Sequence, residues 1–370
     1  MRVLSVVTLV TPTGAYGGPV RVAVNQARAL RERGHDVTLM AAYAGFGETP
    51  PTELDGVPAQ LFRARRLVPR TGFTGLAAPA MLRRLTRTTR RHDVVHVHLA
   101  RDLVTLPAAL LALAAGVPVV LQCHGMIDAS PSRLARLADP LLTRRALSRA
   151  ARILYLTPAE RDALAVLLGS EETLQHLPNG VPTVDLAADP VTPEVLYLAR
   201  LAARKRPTLV VHVADQLQRD FPEHRWRLVG PDEGEGPAVR AAMATTTADV
   251  RWEGPLAPEA TLMRMSRAGV LVLPSVDEPY PMAVLEAMSV GLPVIVTDSC
   301  GLAPLVAAAG AGLVVDAQPA SLVAAVRELL GDPARAAAMG ASARRTARAD
   351  LGMSHVADQL EDVYRDCLAR

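Results

Sequence analysis

The chain repeats one pattern along most of its length: a short run of Val, Ile and Leu, then a segment with apolar residues at helical spacing, then another such run. Strands that read as continuous apolar runs are typical of parallel sheets covered by helices on both faces. We therefore predict an α/β protein with doubly wound parallel sheets. With 370 residues, about twice the length of one ordinary domain, two domains are expected.

Two series of predicted elements are separated by a proline-rich, turn-rich segment at 178–193. The predicted strands are 2–10, 37–42, 93–98, 118–123 and 152–157 in the first series, and 194–199, 225–229, 250–252, 269–273, 292–297 and 312–315 in the second. The predicted helices of the first series are 19–34, 101–115 and 133–149, and two or three helices are expected after Pro319. We place one domain at 1–185, another at 191–350, and a terminal helix within 353–370.

Composition narrows the class of protein. Half of the residues are hydrophobic and 21% are charged, which excludes a disordered chain. Aromatic residues make up only 3%, too few for base-stacking surfaces, so we expect no nucleic-acid partner. The three cysteines lie far apart in the sequence, which fits a reducing cytoplasm. The uncharged segment 103–123 has the length of a membrane span, but Pro107 and the turn at 116–118 divide it, so we predict no transmembrane helix.

A glycine-rich loop joins the first predicted strand to the first helix. It reads Gly-Ala-Tyr-Gly-Gly over 14–18, and Gly17 and Gly18 would bring backbone amides and a helix N-terminus close to an anion. The chain has neither Gly-x-Gly-x-x-Gly nor Gly-x-x-x-x-Gly-Lys, which argues against a standard dinucleotide fingerprint and an NTPase phosphate loop. A tight turn without a ligand is the alternative.

Lys205 is the only lysine among 40 basic residues. It follows the first strand of the second series, together with Arg200, and an ammonium group reaches phosphate oxygens without the planar demands of guanidinium. In a chain that uses arginine everywhere else, this exception predicts a phosphate contact. A solvated basic turn is the alternative.

Two carboxylates, Glu278 and Glu286, are eight residues apart after another predicted strand of the second series. Prolines keep Glu278 in a loop, whereas a helix from Met282 onward places Glu286 near its first turns. Both side chains could accept hydrogen bonds from sugar hydroxyls. The alternative is a surface glutamate followed by one that only favours a helix N-terminus.

Three histidines lie at the carboxyl ends of predicted parallel strands, where sheets of this kind carry their sites. His96 and His98 alternate on one strand, so both point to the same face, and His124 ends the next strand. We take His124 as the strongest functional candidate, with packed core histidines as the alternative. No carboxylate or cysteine has suitable local spacing for zinc, and we predict no metal.

Residues 63–91 carry nine arginines and no acid. Leu76, Leu82 and Leu85 predict the apolar stripe of a basic amphipathic helix, which would place the protein against anionic lipid at the inner face of the membrane. A solvated face around a packed stripe is the alternative. The arginines are Arg63, Arg65, Arg66, Arg70, Arg83, Arg84, Arg87, Arg90 and Arg91.

Taken in order, these motifs resemble the retaining glycosyltransferases of family 4, and the resemblance spans essentially the whole chain. The family has the glycosyltransferase B fold, in which two Rossmann-like doubly wound domains face each other across a cleft. The motifs that carry the resemblance are Gly17 and Gly18, residues 93–98, His124 with Gly125, residues 177–181, residues 199–201 with Lys205, residues 230–232, and Glu278 with Glu286.

The resemblance implies a nucleoside-diphosphate sugar, UDP- or GDP-linked, as the donor. Arg200 and Lys205 would grip its diphosphate, with Gly17 and Gly18 closing over it. Glu286 would hold the ribose hydroxyls.

The resemblance also implies where the transferred sugar binds. Glu278 would hold its hydroxyls, and His124 would lie against it near the reacting centre. Residues 1–185 would form the acceptor-side domain and 191–350 the nucleotide-sugar domain, with the helix in 353–370 packing back toward the first.

The implied reaction is a metal-independent, retaining transfer to an acceptor hydroxyl, in cell-envelope polysaccharide, glycolipid or glycosylated metabolite synthesis. No Asp-x-Asp occurs, so the metal-dependent glycosyltransferase arrangement lacks its ligand motif, and no cofactor is expected. The acceptor, a glycan, a lipid-linked or a small molecule, stays unidentified. A covalent role for Glu278 is less favoured. A sugar-nucleotide epimerase of the same fold, a nicotinamide oxidoreductase and a non-catalytic sugar-binding protein are the competing hypotheses.

Overall fold

The structure of the protein is a computed structural model, and it describes residues 1–12, 17–47, 49–68, 72–127, 142–189 and 192–369. The chain divides into two compact units. Unit 1 consists of Met1–Gly180 and Met353–Arg370, and unit 2 consists of Val181–Gly352. Each unit is built around a parallel sheet of its own, as the apolar runs predicted.

The elements are numbered in chain order. The strands are β1 (Arg2–Val10), β2 (Asp36–Tyr43), β3 (Glu53–Leu54), β4 (Val57–Arg63), β5 (Arg65–Arg66), β6 (Leu76–Ala77), β7 (Val94–His98), β8 (Val119–Gln122), β9 (Arg152–Tyr155), β10 (Leu174–His176), β11 (Glu194–Leu198), β12 (Arg225–Val229), β13 (Asp249–Gly254), β14 (Val270–Leu273), β15 (Val294–Thr297) and β16 (Gly312–Val315). The α-helices of the described ranges are α1 (Gly17–Glu32), α2 (Pro79–Thr88), α3 (Thr105–Ala114), α4 (Arg144–Arg149), α5 (Pro158–Leu168), α6 (Pro207–Leu217), α7 (Gly236–Met243), α8 (Thr261–Met265), α9 (Met282–Ser289), α10 (Ala303–Ala309), α11 (Pro319–Gly331), α12 (Pro333–Asp350) and α13 (Met353–Leu368).

The main sheet of unit 1 has the strand order β10-β9-β8-β7-β1-β2-β4-β3. All neighbours are parallel except the short β3, which pairs antiparallel with β4. The five strands predicted for this part of the chain are confirmed, with ends that differ by at most two residues. Strand β4 was not predicted because Val57–Arg63 mixes polar and apolar residues, and β10 was not predicted because three residues carry no readable period.

Helices cover both faces of this sheet. On one face α1 and α13 share a hydrophobic cluster with β1 and β2, and α13 contributes the buried Val356, Leu360 and Val363. On the other face buried residues of α2, α3, α4 and α5 form a second cluster. Strand β1 is buried throughout after Arg2 because both of its faces are covered, which explains its apolar sequence.

The uncharged segment 103–123 forms α3 and β8, divided as predicted at the turn around Gly116. The helix begins at Thr105 rather than at residue 101. The turn before it is closed by the side chain of Asp102, which accepts hydrogen bonds from the amides of Val104 and Thr105 at 2.9 and 2.6 Å. Across the described ranges, no helix is both long and apolar enough to span a bilayer. The part of the predicted helix 133–149 that precedes residue 142 lies outside the described residues.

The sheet of unit 2 has the order β13-β12-β11-β14-β15-β16, and all five pairings are parallel. One continuous hydrophobic cluster, which includes Tyr197, Trp226 and Leu271, fills both sides. All six strands predicted for this region are confirmed, and the helices expected near the end of the chain are α11, which begins at Pro319, α12 and α13. The loops after β11, β14 and β15 leave the same edge of the sheet, because the strands are parallel.

Candidate active site

Lys205 lies in a short 3₁₀ turn, Ala203–Lys205, that follows β11. Its side chain is buried, and Nζ donates a hydrogen bond to Oε2 of Glu278. Arg204 Nη1 donates to the same carboxylate oxygen at 2.7 Å. Two cations from the β11 loop thus converge on one buried carboxylate, and the structure brings together two of the predicted site residues that are 73 positions apart.

The position of Glu278 is fixed by backbone contacts of its loop after β14. The amide of Val276 donates to the carbonyl of Arg204 at 2.9 Å, which joins this loop to the β11 loop. The carbonyl of Glu278 accepts a hydrogen bond from the amide of Gly301 at 2.8 Å. Asp277 adopts φ +50°, a left-handed conformation that turns the chain immediately before Glu278. These contacts place the carboxylate against Lys205.

The pKa of Lys205 is set by its burial and by the charges around it. Desolvation lowers the pKa of Lys205 from its usual value, and Glu278 acts in the opposite direction by stabilising the ammonium. Arg204 and Arg200 add positive potential, which lowers the pKa of Lys205 further. Burial raises the pKa of the neighbouring Cys300 thiol to about 11, so this cysteine is protonated at neutral pH.

Arg200 does not join the Lys205–Glu278 group. Its Nη1 donates to both carboxylate oxygens of Glu233 at 2.8 and 2.9 Å, and both side chains are about a third or more exposed. The backbone holds Glu233 there, because its amide donates to the carbonyl of Leu201 at 3.1 Å. Sequence reasoning missed Arg204 and Glu233, although Arg204 stands in the same basic run as Lys205.

The loop after β12 packs against the Arg200 loop. Gly230 has φ +147°, and a Cβ at this position would lie 2.0 Å from the carbonyl oxygen of Ala199, so only glycine fits. Asp232 Oδ1 then accepts hydrogen bonds from the amides of Gly234 and Gly236 at 2.9 and 2.8 Å, which lower the pKa of Asp232. The loop after β12 can therefore approach the end of β11 this closely only because residue 230 is glycine.

Glu286 lies on the second turn of α9 and is buried, as the predicted helix start at Met282 requires. Its backbone carbonyl accepts a hydrogen bond from Ser289 Oγ at 2.7 Å. The ribose-binding role that the resemblance implies for Glu286 stays a prediction.

In unit 1, Gly17 and Gly18 form the first residues of α1, so their backbone lies at a helix N-terminus as predicted. A Cβ on Gly18 would meet no atom within 4 Å, so packing alone does not require glycine there. The rest of the loop, Gly14 to Tyr16, lies outside the described residues. The anion-binding role stays a prediction.

The three candidate histidines form a stack in unit 1. The rings of His96 and His98 have centroids 4.6 Å apart, and those of His98 and His124 are 5.0 Å apart. His98 Nδ1 lies 2.7 Å from His124 Nε2, and His96 Nδ1 lies 2.8 Å from the hydroxyl of Tyr364 on α13. Burial lowers the pKa of His96 and of His124 to about 3, so these imidazoles are neutral at physiological pH.

Glu160 secures the turn that carries His124, and sequence reasoning missed it. This buried residue on the first turn of α5 accepts hydrogen bonds from the amides of Gly125 at 2.5 Å and Leu156 at 2.7 Å. Burial raises the pKa of Glu160. The signal for it was Thr157-x-x-Glu160 before an apolar run, in which Thr157 Oγ1 accepts from the Glu160 amide.

The structure corrects the predicted lipid-binding helix. Leu76 lies in β6 rather than in a helix, and the buried face of α2 is formed by Met81 and Leu85, with Leu82 partly buried against the same core. The apolar stripe therefore packs inside unit 1 and is not available to lipid. Arg70 lies outside the described residues.

No group of three His, Cys, Asp or Glu side chains within the described ranges is placed to hold a metal ion. Independence from metal remains a prediction, to be tested in solution.

Comparisons with known proteins identify the class. Residues 17–180 match the family described as a glycosyl transferase 4-like domain, and residues 185–346 match the glycosyl transferases group 1. A D-inositol 3-phosphate glycosyltransferase of Kineococcus radiotolerans is 30% identical, over 95% of this chain and 91% of that protein. A glycogen synthase of Mycobacterium tuberculosis is 27% identical, over 98% and 94%. The crystal structure of Anabaena HepE in complex with UDP and glucose covers 99% of both chains with a TM-score of 0.78 and 17% identity.

The chain is therefore a glycosyltransferase with the glycosyltransferase B fold. It belongs to the glycosyl transferases group 1, with a glycosyl transferase 4-like domain in unit 1, and the family resemblance drawn from the motifs is confirmed.

Proposed function

We propose that the protein transfers a sugar from a nucleoside-diphosphate sugar to an acceptor hydroxyl, with retention of anomeric configuration and without a metal ion. The observation that carries the proposal is the buried Lys205 ammonium, set beside Arg204 on the Glu278 carboxylate at the carboxyl end of the unit 2 sheet. Membership of the glycosyltransferase family supplies the reaction class.

Breaking an anomeric bond to a diphosphate develops negative charge on the leaving oxygens. A cation that is already fixed and desolvated stabilises that charge more in the transition state than in the bound substrate. Lys205 meets this requirement, because an ammonium has three donors and can keep its contact with Glu278 while it binds phosphate oxygens. Arg200 would add a second cation once phosphate competes with Glu233.

Glu278 is suited to hold the transferred sugar. Among the described residues, Lys205 and Arg204 both bind its Oε2. This leaves Oε1 to accept a hydrogen bond from a sugar hydroxyl. Gly17, Gly18, His124 and Glu286 remain predicted contacts of the donor.

UDP is the first nucleotide to test, because HepE was crystallised with UDP and glucose. The relatives carry names as different as D-inositol 3-phosphate glycosyltransferase and glycogen synthase, so acceptors of both kinds, a small phosphorylated polyol and a glucan, belong in the assay.

We further propose that the exposed arginines of α2 and its flanks give a purely electrostatic contact with anionic membrane at the cytoplasmic face. Arg83, Arg84 and Arg87 are not part of the buried face of α2 that Met81 and Leu85 form. Sedimentation with anionic and neutral vesicles over a salt series tests this contact. Equal sedimentation with both lipids, or no effect of salt, contradicts it.

The central experiment measures nucleotide binding and transfer in EDTA. A nucleotide at 100 times its dissociation constant stabilises the native state by about 2.7 kcal/mol, which raises the melting temperature by about 5–11 °C for a unit of this size. UDP, GDP and ADP are compared with the free nucleosides, and the best donor sugar is then assayed for transfer and for conversion without acceptor.

Lys205→Ala and Arg200→Ala should each lower transfer at least about a hundredfold, the usual scale for removing a transition-state charge contact. Arg251→Ala is the matched control, because Arg251 is an exposed arginine of the same unit that pairs with Asp249. Near-normal transfer by Lys205→Ala, or an absolute requirement for a divalent ion, overturns the proposal. Donor conversion without acceptor indicates an epimerase instead.

A further inference from the structure

The hydrogen bond between His98 Nδ1 and His124 Nε2, 2.7 Å long, joins two neutral rings. Burial lowers the pKa of both histidines well below neutral pH, so each ring carries one proton. A hydrogen bond between two ring nitrogens needs the proton on one of them and a bare lone pair on the other. Only two arrangements of protons are therefore possible.

The second nitrogen of His98 decides between the two arrangements. His98 Nε2 is buried and has no hydrogen-bond partner among the described residues. If His98 accepted the bond at Nδ1, its proton would sit on Nε2 as an orphaned buried N–H, which native interiors tolerate least. If His98 donates from Nδ1, only an unused lone pair is buried. The donating arrangement is the better one.

The arrangement of protons at His98 also fixes the tautomer of His124, whose ring is partly exposed. When His124 accepts at Nε2, its own proton must sit on Nδ1, and no described residue hydrogen-bonds that atom. His124 is held in this orientation by its left-handed backbone, φ +52°, and by Glu160, which binds the amide of Gly125 at 2.5 Å. The turn and the bond to His98 together fix where the Nδ1–H group points.

We propose that His98 is a positioning residue that sets the tautomer of His124, so that His124 presents Nδ1–H as a hydrogen-bond donor to an oxygen of the transferred sugar. The choice of ligand rests on the proposed function, whereas the tautomer does not. A nitrogen that already carries a proton cannot take one from the acceptor hydroxyl. His124 therefore orients the sugar and does not act as the general base through Nδ1.

The tautomer is read directly from ¹⁵N spectra of protein labelled on the histidine rings, because protonated and bare ring nitrogens have well separated shifts. Comparison with His124→Gln identifies the signals of His124. We expect a protonated Nδ1 and a bare Nε2 for His124, and a protonated Nδ1 for His98. Protonation of His124 at Nε2 in the unsubstituted protein overturns the proposal.

Variants test the positioning role. His98→Phe keeps a ring in the stack without its nitrogens, so the His124 proton should move toward Nε2 and kcat/KM should fall about tenfold, the scale of one lost hydrogen bond. His98→Asn retains a donor near the position of Nδ1 and should restore both the tautomer and most of the activity.

Tyr364→Phe removes the hydroxyl that contacts His96 and is the matched control, which should leave the His124 tautomer unchanged. An unaltered tautomer in His98→Phe contradicts the positioning role. If the tautomer is as stated but no nucleoside-diphosphate sugar is used, the proposed function fails and the tautomer assignment is supported.

Discussion

Replacing Glu278 by alanine removes the only carboxylate that the described structure places on Lys205. The side chains of Lys205 and Glu278 are 9% and 8% exposed, so the ammonium would be left in the interior with Arg204 beside it. We expect the folded protein to lose far more stability than an exposed ion pair could supply, because a buried cation without its partner is one of the costliest polar defects.

The loss of stability in Glu278→Ala can be estimated in two independent ways. Removing one partner of a buried ion pair costs about 3–5 kcal/mol. The lysine can escape by deprotonating, and moving its pKa from the usual 10.5 to neutral pH costs about 1.36 kcal/mol per unit, or about 5 kcal/mol in all. The cost of deprotonation is an upper limit on the loss of stability, and it agrees with the range for a broken buried ion pair.

The sign of the pH dependence follows from the lowered pKa of Lys205. In Glu278→Ala the unfolded chain binds the lysine proton more tightly than the folded one, so stability rises with pH. The penalty is complete below the folded pKa and disappears as pH passes the unfolded value of 10.5. Urea unfolding at about pH 7 and about pH 9.5 should therefore show the deficit shrinking by up to about 3 kcal/mol.

Glu233→Ala is the matched control, because it removes the carboxylate of the exposed Arg200 pair. Its cost should be about 0–1 kcal/mol without the same pH trend. Lys205→Met should also cost less than Glu278→Ala, since Glu278 keeps Arg204 as a partner. Equal losses in Glu278→Ala and Glu233→Ala, or a deficit that does not change with pH, would refute the account of the buried pair.

Three further outcomes are expected. Gly230→Ala should destabilise the protein by at least about 3 kcal/mol in urea unfolding. The reason is that its Cβ would lie 2.0 Å from the carbonyl oxygen of Ala199, at a backbone angle that suits only glycine. A smaller loss of stability would show that the two loops can separate. Glu233→Ala should tighten nucleotide binding by up to about fivefold in low-salt calorimetry, because Arg200 loses its carboxylate partner and can bind phosphate. Unchanged or weaker binding would contradict competition between Glu233 and phosphate. Transfer should persist in EDTA after dialysis, and recovery only on adding manganese would disprove metal independence.

Local sequence was enough to predict most of the strands of the two main sheets. Strands such as Arg2–Val10 and Val270–Leu273 were predicted to within one residue because a strand covered on both faces must be largely apolar, and such a run of apolar residues is recognisable from the sequence alone. Strand β4 was not predicted because its polar and apolar residues are mixed. The apolar stripe of α2 was predicted only in part, because Leu76 lies outside the helix and Met81 shares the buried face with Leu85.

The pairing of site residues was not accessible in the same way. The sequence predicted that Arg200 and Lys205 bind one diphosphate together. In the structure, Lys205 and Arg204 bind Glu278. Arg200 binds Glu233 instead. Each contact joins loops that follow different strands, so it depends on strand order and loop conformation rather than on spacing along the chain.

By itself, the sequence determined the alternation of strands and helices, the two-series organisation and the chemical identity of the candidate residues, since these depend on local periodicity and residue type. Only the tertiary structure decided which cation meets which carboxylate, that Glu160 holds the His124 turn, and that His98 contacts His124. The physical reason is that parallel strands bring loops from distant parts of the chain to one edge of a sheet, where burial makes each pairing energetically decisive.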